Sequence, residues 1–311
     1  MSYRLVEDPD AVAASAARVA EATGRPAAHV EKDFWVTEVL RGVVAAAAAT
    51  GVEVLFKGGT SLSKVYGLIK RFSEDVDVLV VLPEGSSGDH DRVLKSLVGG
   101  AEAATGLSSV LDASTATRGV KRSARFVYRP GAGGAGLSDG VLLEIGTRGG
   151  ALGAHTAAIR SLVAEQAPEA AEAAPVPVRV MAPWRTLVEK LVLLHTAHST
   201  DQAGPTVRGA RHYYDVHQLL ASAEVPAGIA EVGIGALARD VCTYSHEAGL
   251  PYRERPAAGF SSSPALGEGS HVTAARDEYE ERALAQLLWP GAEQPSFDEC
   301  VAAVHRHGDM L

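Results

Sequence analysis

Phe56 to Val81 reads FKGGTSLSKVYGLIKRFSEDVDVLVV, and this stretch decides the fold. A short apolar run, Val52 to Phe56, predicts a strand that leads into it. A Gly-Gly turn with hydroxyl-bearing residues follows, and the next segment is long enough for a short helix. The stretch ends in a valine-rich strand that opens with Asp75-x-Asp77. This order predicts an α/β unit in which a glycine turn and two acids belong to one site.

The glycine turn has the chemistry of a phosphate-binding loop. Gly58 and Gly59 have no Cβ, so a phosphate group can approach the backbone closely. Backbone N–H groups at the start of the next helix favour an anion, and Thr60 and Ser61 add hydroxyl donors. The alternative interpretation is a tight turn with no ligand.

The two acids of the strand have the chemistry of a metal site. Asp75 and Asp77 are two residues apart, so their carboxylates lie on the same face of the strand. Two neighbouring carboxylates repel one another unless a cation lies between them, and Mg²⁺, or Mn²⁺ in its place, also binds substrate phosphates. Two such ions about 3.5–4 Å apart can hold the attacking and leaving oxygens of an in-line displacement. The alternative is a polar strand edge, which would not explain why two acids lie at the start of a valine-rich strand.

The composition is that of a folded globular protein. The chain has 311 residues, of which 46% are hydrophobic and 22% charged, so it can form one large domain or two ordinary ones. Two cysteines make neither a disulfide framework nor a zinc finger. The acidic N-terminus does not resemble a signal peptide. The longest apolar run, Gly42 to Gly51, is too short to span a bilayer, so we expect a cytoplasmic protein.

The pattern of elements changes along the chain. Helices and mixed strands are predicted for residues 1–165, and mainly helices for residues 181–311, including one from Val272 to Leu288. Between them, residues 166–180 are rich in Ala, Glu and Pro and predict a linker or a connecting strand. The predicted fold class is therefore α/β, or α+β, with a mainly helical C-terminal half.

A net charge of −9 means that any contact with nucleic acid needs a local basic surface. No acidic residue occurs from Ala113 to Ser138, and five basic residues fall there. The candidate RNA-binding residues are Arg118, Lys121, Arg122, Arg125 and Arg129. The alternative is a solvated strand face beside a loop.

The ordered set in Phe56 to Val81 resembles the polymerase-β-like nucleotidyltransferase fold. More closely, the run GGTSLSK followed by RFSEDVD resembles the AbiEii/AbiGii-type toxins of bacterial toxin–antitoxin systems, which include the MenT-like toxins. The resemblance extends over roughly Glu31 to Leu220. Three further segments support it: EKDFW at Glu31 to Trp35, EKL at Glu189 to Leu191, and RHYYD at Arg211 to Asp215.

The resemblance implies a function for the chain. It implies that residues 1–165 are the nucleotidyltransferase domain, that residues 181–311 contribute to its active site, and that a cognate antitoxin protein is a partner. The implied reaction transfers NMP from an NTP to an RNA acceptor, with the 3′ end of tRNA favoured, and so blocks translation. The alternatives are transfer to a protein hydroxyl, as in AMPylation, and an inactive NTP-binding module.

The resemblance also implies roles for individual residues. It assigns the phosphates of the NTP to the turn and the short helix, namely Gly58, Gly59, Thr60, Ser61 and Lys64. By the same resemblance, Asp75 and Asp77 bind Mg²⁺, and Lys190 contacts the triphosphate or the transition state. Asp215 completes the site. Without the resemblance, Lys190 would be a surface helix lysine and Asp215 a surface acid.

Two further positions are candidates beside this set. Glu144 lies in an apolar strand, where a charge is costly unless it is paired or bound to a metal. It is a candidate third metal ligand or a base for the attacking hydroxyl, and the alternative is an ion pair with Arg148 or a neighbour. Ser73, just before the two acids, is a candidate regulatory site, since a phosphate there would add negative charge beside Asp75. A hydroxyl that caps the loop is the alternative for Ser73.

Overall fold

The computed structural model describes residues 4–131, 137–147, 149–168, 174–199, 207–247 and 252–311. The chain divides into two compact units. The first, called the sheet unit here, comprises Met1–Val65, Phe72–Arg148 and Ala154–Val180. The second, the helical unit, comprises Tyr66–Arg71, Gly149–Gly153 and Met181–Leu311.

The sheet unit contains both helices and strands. In chain order its elements are α1 (Pro9–Thr23), α2 (Ala27–Thr50), β1 (Glu53–Lys57), α3 (Gly58–Lys64), β2 (Asp75–Val81), α4 (Ser87–Thr105), β3 (Ser109–Leu111), β4 (Lys121–Phe126), β5 (Val141–Gly146), β6 (His155–Ile159), α5 (Leu162–Gln166) and β7 (Val176–Val180). Within residues 166–180, the described part therefore ends in a strand of this unit, and residues 169–173 lie outside the described ranges.

The seven strands found among the described residues form a single sheet in the order β3-β4-β5-β2-β1-β7-β6. Strand β2 is central: it pairs antiparallel with β1 and parallel with β5. Strand β7 pairs parallel with β1 on the other side. This mixed sheet, flanked by helices, confirms the predicted α+β class.

The two faces of β2 differ sharply in chemistry. Val76, Val78 and Val80 are 0–2% exposed, and α2 packs against this side of the sheet. Asp75 and Asp77 alternate with the valines and so lie on the opposite face. The predicted alternation is confirmed, and it leaves the two carboxylates on the polar face.

Helices α2 and α4 cross closely on the apolar side of the sheet. A Cβ at Gly42 would lie 2.6 Å from both Ala101 Cα and Gly100 O, and a Cβ at Gly100 would lie 2.4 Å from Ala46 Cβ. Small residues at the crossing therefore let the two backbones approach.

The helical unit contains α6 (Pro183–His198), α7 (Val207–Ala221), α8 (Glu224–Val232), α9 (Ile234–Glu247), α10 (Ser270–Glu278) and α11 (Phe297–Arg306). The predicted helix from Val272 to Leu288 is too long. Helix α10 ends at Glu278, a wide helical turn follows at Tyr279–Ala283, and Leu288 forms a β-bridge with Arg71. The bridge requires an extended backbone at Leu288, so the helix cannot include this residue.

No helix in the described part of the chain is both long and apolar enough to cross a membrane.

Candidate active site

The glycine turn lies directly against the acids of β2. Gly58 has φ +77°, and a Cβ on it would lie 2.1 Å from Oδ2 of Asp77. Glycine is required here for two reasons, because the backbone is left-handed and because the Asp77 carboxylate occupies the side-chain space. The sequence-predicted turn and the sequence-predicted acid are therefore brought together.

The two hydroxyl residues of the turn bind protein groups. Ser61 Oγ donates to Gly58 O at 2.9 Å, and Thr60 Oγ1 donates to the backbone oxygen of Asp75. Both side chains are buried, at 1% exposure or less. Their observed role is to close the turn and to fasten it to the start of β2.

Ser73 belongs to the same hydrogen-bonded group. Its hydroxyl oxygen lies 3.0 Å from Thr60 Oγ1, and its side chain is partly exposed. A phosphate on Ser73 would therefore stand beside both the turn and Asp75, and regulation through Ser73 stays a prediction.

Asp77 is flanked on both neighbouring strands by a charged residue. Lys57 of β1 lies opposite it in the antiparallel pair, and Glu144 of β5 lies opposite it in the parallel pair. Residues in register on adjacent strands have their side chains on the same face. The polar face of the sheet therefore carries Asp75, Asp77 and Glu144 together.

Glu144 is nevertheless engaged by another residue. Lys121 Nζ lies 3.0 Å from Glu144 Oε1, and both side chains are about one-third exposed. Among the described residues, no three His, Cys, Asp or Glu side chains are grouped so as to hold a metal ion. The structure thus places Glu144 in the expected row but pairs it with a neighbouring lysine, while Arg148 lies outside the described residues.

A two-carboxylate donor set still suits Mg²⁺. This ion keeps several waters and is usually bound by one or two carboxylates together with substrate phosphates. Asp75 and Asp77, both partly exposed on the polar face, supply such a pair, and Gly58 leaves room for Asp77 beside the turn. The residues present therefore fit a magnesium ion that arrives with an NTP.

The five basic candidates do not form one surface. Lys121 and Arg125 alternate on β4 with Arg122, which lies on the opposite face and binds Asp91 of α4 at 3.0 Å. The register places Arg125 opposite Leu142, which is opposite Asp75. Lys121 and Arg125 therefore share the polar face with the aspartates, whereas Arg122 does not.

The remaining two basic candidates lie outside β4. Arg118 and Arg129 are exposed on the segments that precede and follow this strand. Their exposure leaves them accessible, but they have no register that relates them to the aspartates.

Lys64, expected near the phosphates, binds a carboxylate of the protein. It is the last residue of α3, and its ammonium donates to Asp33 Oδ1 of α2. Asp33 Oδ2 accepts from the backbone N–H of Leu162 at 2.7 Å. Lys64 thus anchors the end of the short helix, and no sequence pattern indicated this partner.

A second buried ion pair lies next to the acids and was not predicted. Lys32 Nζ lies 2.6 Å from Glu74 Oε2, and both residues are at most 5% exposed. Burial lowers the pKa of Lys32, against the opposing effect of Glu74. Burial alone would raise the pKa of Glu74, but Lys32 and hydrogen bonds from Ser138 lower it. The sequence signal for it was the run of three charges Glu31-Lys32-Asp33 within a largely apolar helix.

In the helical unit, Asp215 is the centre of a buried charge cluster. Its carboxylate accepts from Arg71 Nε at 2.8 Å and Nη2 at 2.7 Å, and Lys190 Nζ lies 2.7 Å away. Asp215 is 0% exposed and Lys190 6%, so a surface placement of either is wrong. Burial alone would raise the pKa of Asp215, but Arg71 and Lys190 hold it well below its usual range.

His212 completes this cluster. Its Nδ1 lies 3.4 Å from Lys190 Nζ. Burial, and then the Lys190 cation, lower the pKa of His212 to about 3, so the imidazole is neutral near pH 7. Two cations, Arg71 and Lys190, thus lie against the one carboxylate of Asp215.

Comparison with protein families identifies the family of the chain. Residues 40–303 match the model of the AbiEii nucleotidyl transferase toxin of a type IV toxin–antitoxin system. The chain belongs to the AbiEii nucleotidyltransferase toxin family. The match includes residues of both units.

One solved structure supports the fold. The nucleotidyltransferase toxin MenT4 of Mycobacterium tuberculosis is 19% identical, with 94% of each chain covered and a TM-score of 0.50. JHP933 of Helicobacter pylori is 16% identical, with 88% of each chain covered and a TM-score of 0.43. None of the curated proteins matches this chain. At this identity, the likeness to MenT4 supports the nucleotidyltransferase fold.

Proposed function

We propose that this AbiEii-family protein transfers a nucleoside monophosphate from an NTP to the 3′ hydroxyl of an RNA, with tRNA as the favoured acceptor. The observation that carries the proposal is the polar face of the sheet. Asp75 and Asp77 lie there against the Gly58 turn, and basic residues of β4 share the face. One surface therefore carries side chains that could bind both a metal–triphosphate and an RNA backbone.

The reaction is an in-line displacement at the α-phosphorus. The 3′ hydroxyl oxygen forms a bond to phosphorus, the bond to the β-phosphate oxygen breaks, pyrophosphate leaves, and the hydroxyl proton passes to water. Mg²⁺, when bound, neutralises charge on the triphosphate. Asp75 and Asp77 would hold that ion, and the glycine turn would admit the phosphates close to the backbone.

Lys190 and Asp215 are proposed to act in the same reaction, because the family pattern includes both. Asp215 is completely buried between two cations. A carboxylate in that position holds Lys190 and Arg71 in place, and Lys190 is the residue proposed to contact phosphate.

RNA is favoured as acceptor by the basic residues on the polar face. Arg125 lies in the same cross-strand row as Asp75, two strands away, which is about 10 Å at normal strand spacing. A phosphate one or two nucleotides from the reacting 3′ end is within that range. Blocking the 3′ end of tRNA would prevent aminoacylation and stop translation, and a cognate antitoxin is the expected partner.

The direct test incubates the purified protein with total RNA, Mg²⁺ and each α-labelled NTP in turn. The proposal predicts label in an RNase-sensitive band of tRNA size, and loss of that label in Asp77→Asn. Label on protein would replace the RNA acceptor with a protein hydroxyl. No label with any NTP, together with measurable NTP binding, would indicate an inactive binding module.

A further inference from the structure

Helix α2 carries three consecutive charged residues that are almost completely buried. Glu31, Lys32 and Asp33 are 2%, 1% and 5% exposed. A buried charge is tolerated only when partner groups replace the water that it has lost. Each of the three finds its partners on other segments of the sheet unit, so α2 ties several segments together.

Lys32 holds the segment that leads into β2. Its ammonium donates to Glu74 Oε2 at 2.6 Å and to Ser138 O at 2.5 Å. Glu74 in turn accepts from the backbone N–H of Ser138 at 2.9 Å and from its hydroxyl at 3.0 Å. Glu74 immediately precedes Asp75, so this network fixes the backbone from which the first acid projects.

The same segment has a second contact with α2. The rings of Phe72 and His29 stack at 4.6 Å with an interplanar angle of 6°. Phe72 and Glu74 thus face α2, while Asp75 and Asp77 occupy the alternate positions on the polar face. The strand is therefore held on the α2 side, and Asp75 and Asp77 are partly exposed on the other side.

Asp33 holds the glycine turn in a similar way. It accepts from Lys64, the last residue of α3, and from the backbone N–H of Leu162. Because α3 begins at Gly58, its far end is fixed to α2 while its near end meets Asp77.

We propose that Lys32 and Asp33 are positioning residues for nucleotidyl transfer, which hold Asp75 through Glu74 and the phosphate turn through Lys64. The proposal rests on the proposed function for its chemistry. Neither residue touches the reacting atoms. Each acts through a partner, as the outer-shell groups of metal sites do.

The test is the double variant Lys32→Met/Glu74→Leu, which removes both charges at once and leaves neither buried alone. It is expected to fold, because an apolar pair of similar volume replaces the ion pair. Mn²⁺ titration of the protein alone, followed by the EPR signal of the free ion, is expected to show affinity weakened by about tenfold. Amide hydrogen exchange at residues 73–77 is expected to accelerate, and kcat to fall by about tenfold or more.

The same helix supplies a matched control. Glu38 is 0% exposed and pairs with Arg41 at 3.0 Å, within α2. Glu38→Gln disturbs a buried charge of the same helix without touching β2 or the turn. We expect it to lower the melting temperature and to leave Mn²⁺ affinity and exchange at residues 73–77 unchanged.

A folded double variant that binds Mn²⁺ as the wild type does, with unchanged exchange at residues 73–77, would overturn the proposal. If the double variant does not fold, Glu74→Gln, which keeps the side-chain shape, is measured against the same criteria. Mn²⁺ binding and hydrogen exchange need no turnover. A wild type that transfers no nucleotide would therefore refute the proposed function and leave this test intact.

Discussion

At the scale of single residues, Gly58 is the position where the backbone of the turn lies directly against the predicted metal ligand Asp77. An alanine there would place its Cβ 2.1 Å from Asp77 Oδ2, on a backbone with φ +77°. The carboxylate must move to make room, and misplacement of a reacting group by about 1 Å can cost 100-fold in rate. We expect Gly58→Ala to fold and to lose transfer activity by about that factor.

Gly24 provides the control for backbone strain. Its φ is +70°, but a Cβ on it would meet nothing within 4 Å. Both alanine variants should lose about 1–2 kcal/mol of stability through the left-handed backbone, and only Gly58→Ala should lose activity. Equal activities in the two variants would mean that Asp77 does not need its present position.

Asp215 is expected to matter first for stability. Asparagine there would leave Arg71 and Lys190 nearly buried without their carboxylate, and removing one partner of a buried ion pair costs about 3–5 kcal/mol. Urea denaturation of Asp215→Asn measures this loss. The control is Asp298→Asn, because Asp298 is 76% exposed and pairs with Arg276, so its loss should cost much less stability than the loss of Asp215. Equal costs would contradict the buried cluster.

His212 should give the protein a measurable pH dependence. Because its pKa in the folded protein is lowered to about 3, the unfolded chain, with a pKa of about 6.5, binds a proton between these values that the folded protein does not. The free energy of unfolding should therefore fall as pH decreases below about 6.5, by up to about 1.4 kcal/mol per pH unit from this residue. Denaturation at pH 7, 6 and 5 should show a shallower pH dependence of the unfolding free energy in His212→Gln than in the wild type. Identical slopes would contradict the lowered pKa of His212.

At the scale of elements, two adjacent glycines of α4 should respond oppositely to alanine. A Cβ at Gly100 would lie 2.4 Å from Ala46 Cβ of α2, whereas a Cβ at Gly99 would meet nothing within 4 Å. Gly100→Ala should lower stability by about 1–3 kcal/mol through overpacking. Gly99→Ala should raise it by about 0.5–1 kcal/mol, because alanine favours the helix. Thermal unfolding of the two variants checks the crossing, and equal shifts would mean that the helices do not meet there.

The elements that sequence predicted well are those with strong local patterns. Strand β2 follows from alternating valines and acids, and α2 ends at Gly51, the glycine that also ends the longest apolar run of the sequence. The short edge strands β3 and β6 have no comparable alternation, since most of their residues are exposed or half-exposed. For residues 166–180 the sequence left a linker or a connecting strand open. The structure has strand β7 there, which tolerates Pro177 because its parallel register with β1 involves only Arg179 and Val180.

The candidate site was predictable where it is contiguous in sequence. The turn and the two acids lie within 20 residues, and spacing alone relates them. The pairs Lys32–Glu74 and Arg71–Asp215 are separated by 42 and 144 residues. No local pattern identifies partners over such distances, because only the folded chain brings them together.

At the scale of the whole molecule, a net charge of −9 makes RNA capture depend on local basic residues. Lys121 and Arg125 share the polar face with the aspartates, whereas Arg122 lies behind the sheet and binds Asp91. Each phosphate contact contributes about 0.7–0.9 to the slope of log affinity against log salt. We expect Lys121→Ala/Arg125→Ala to weaken RNA binding and to reduce that slope by about 1.5.

Arg122→Ala removes one positive charge from the other face of the same strand. It should lower RNA affinity only slightly and leave the salt slope unchanged. Filter binding at several salt concentrations measures both variants, and an equal effect of Arg122→Ala would mean that RNA does not follow the polar face.

The most direct test of the account uses a tRNA pool with intact 3′ ends and the same pool after periodate oxidation, which destroys the 3′ hydroxyl. We predict Mg²⁺-dependent incorporation from an α-labelled NTP into the intact pool, none from the γ-labelled NTP, and none into the oxidised pool. Equal labelling of the two pools, or label recovered on protein, would contradict transfer to the RNA 3′ end.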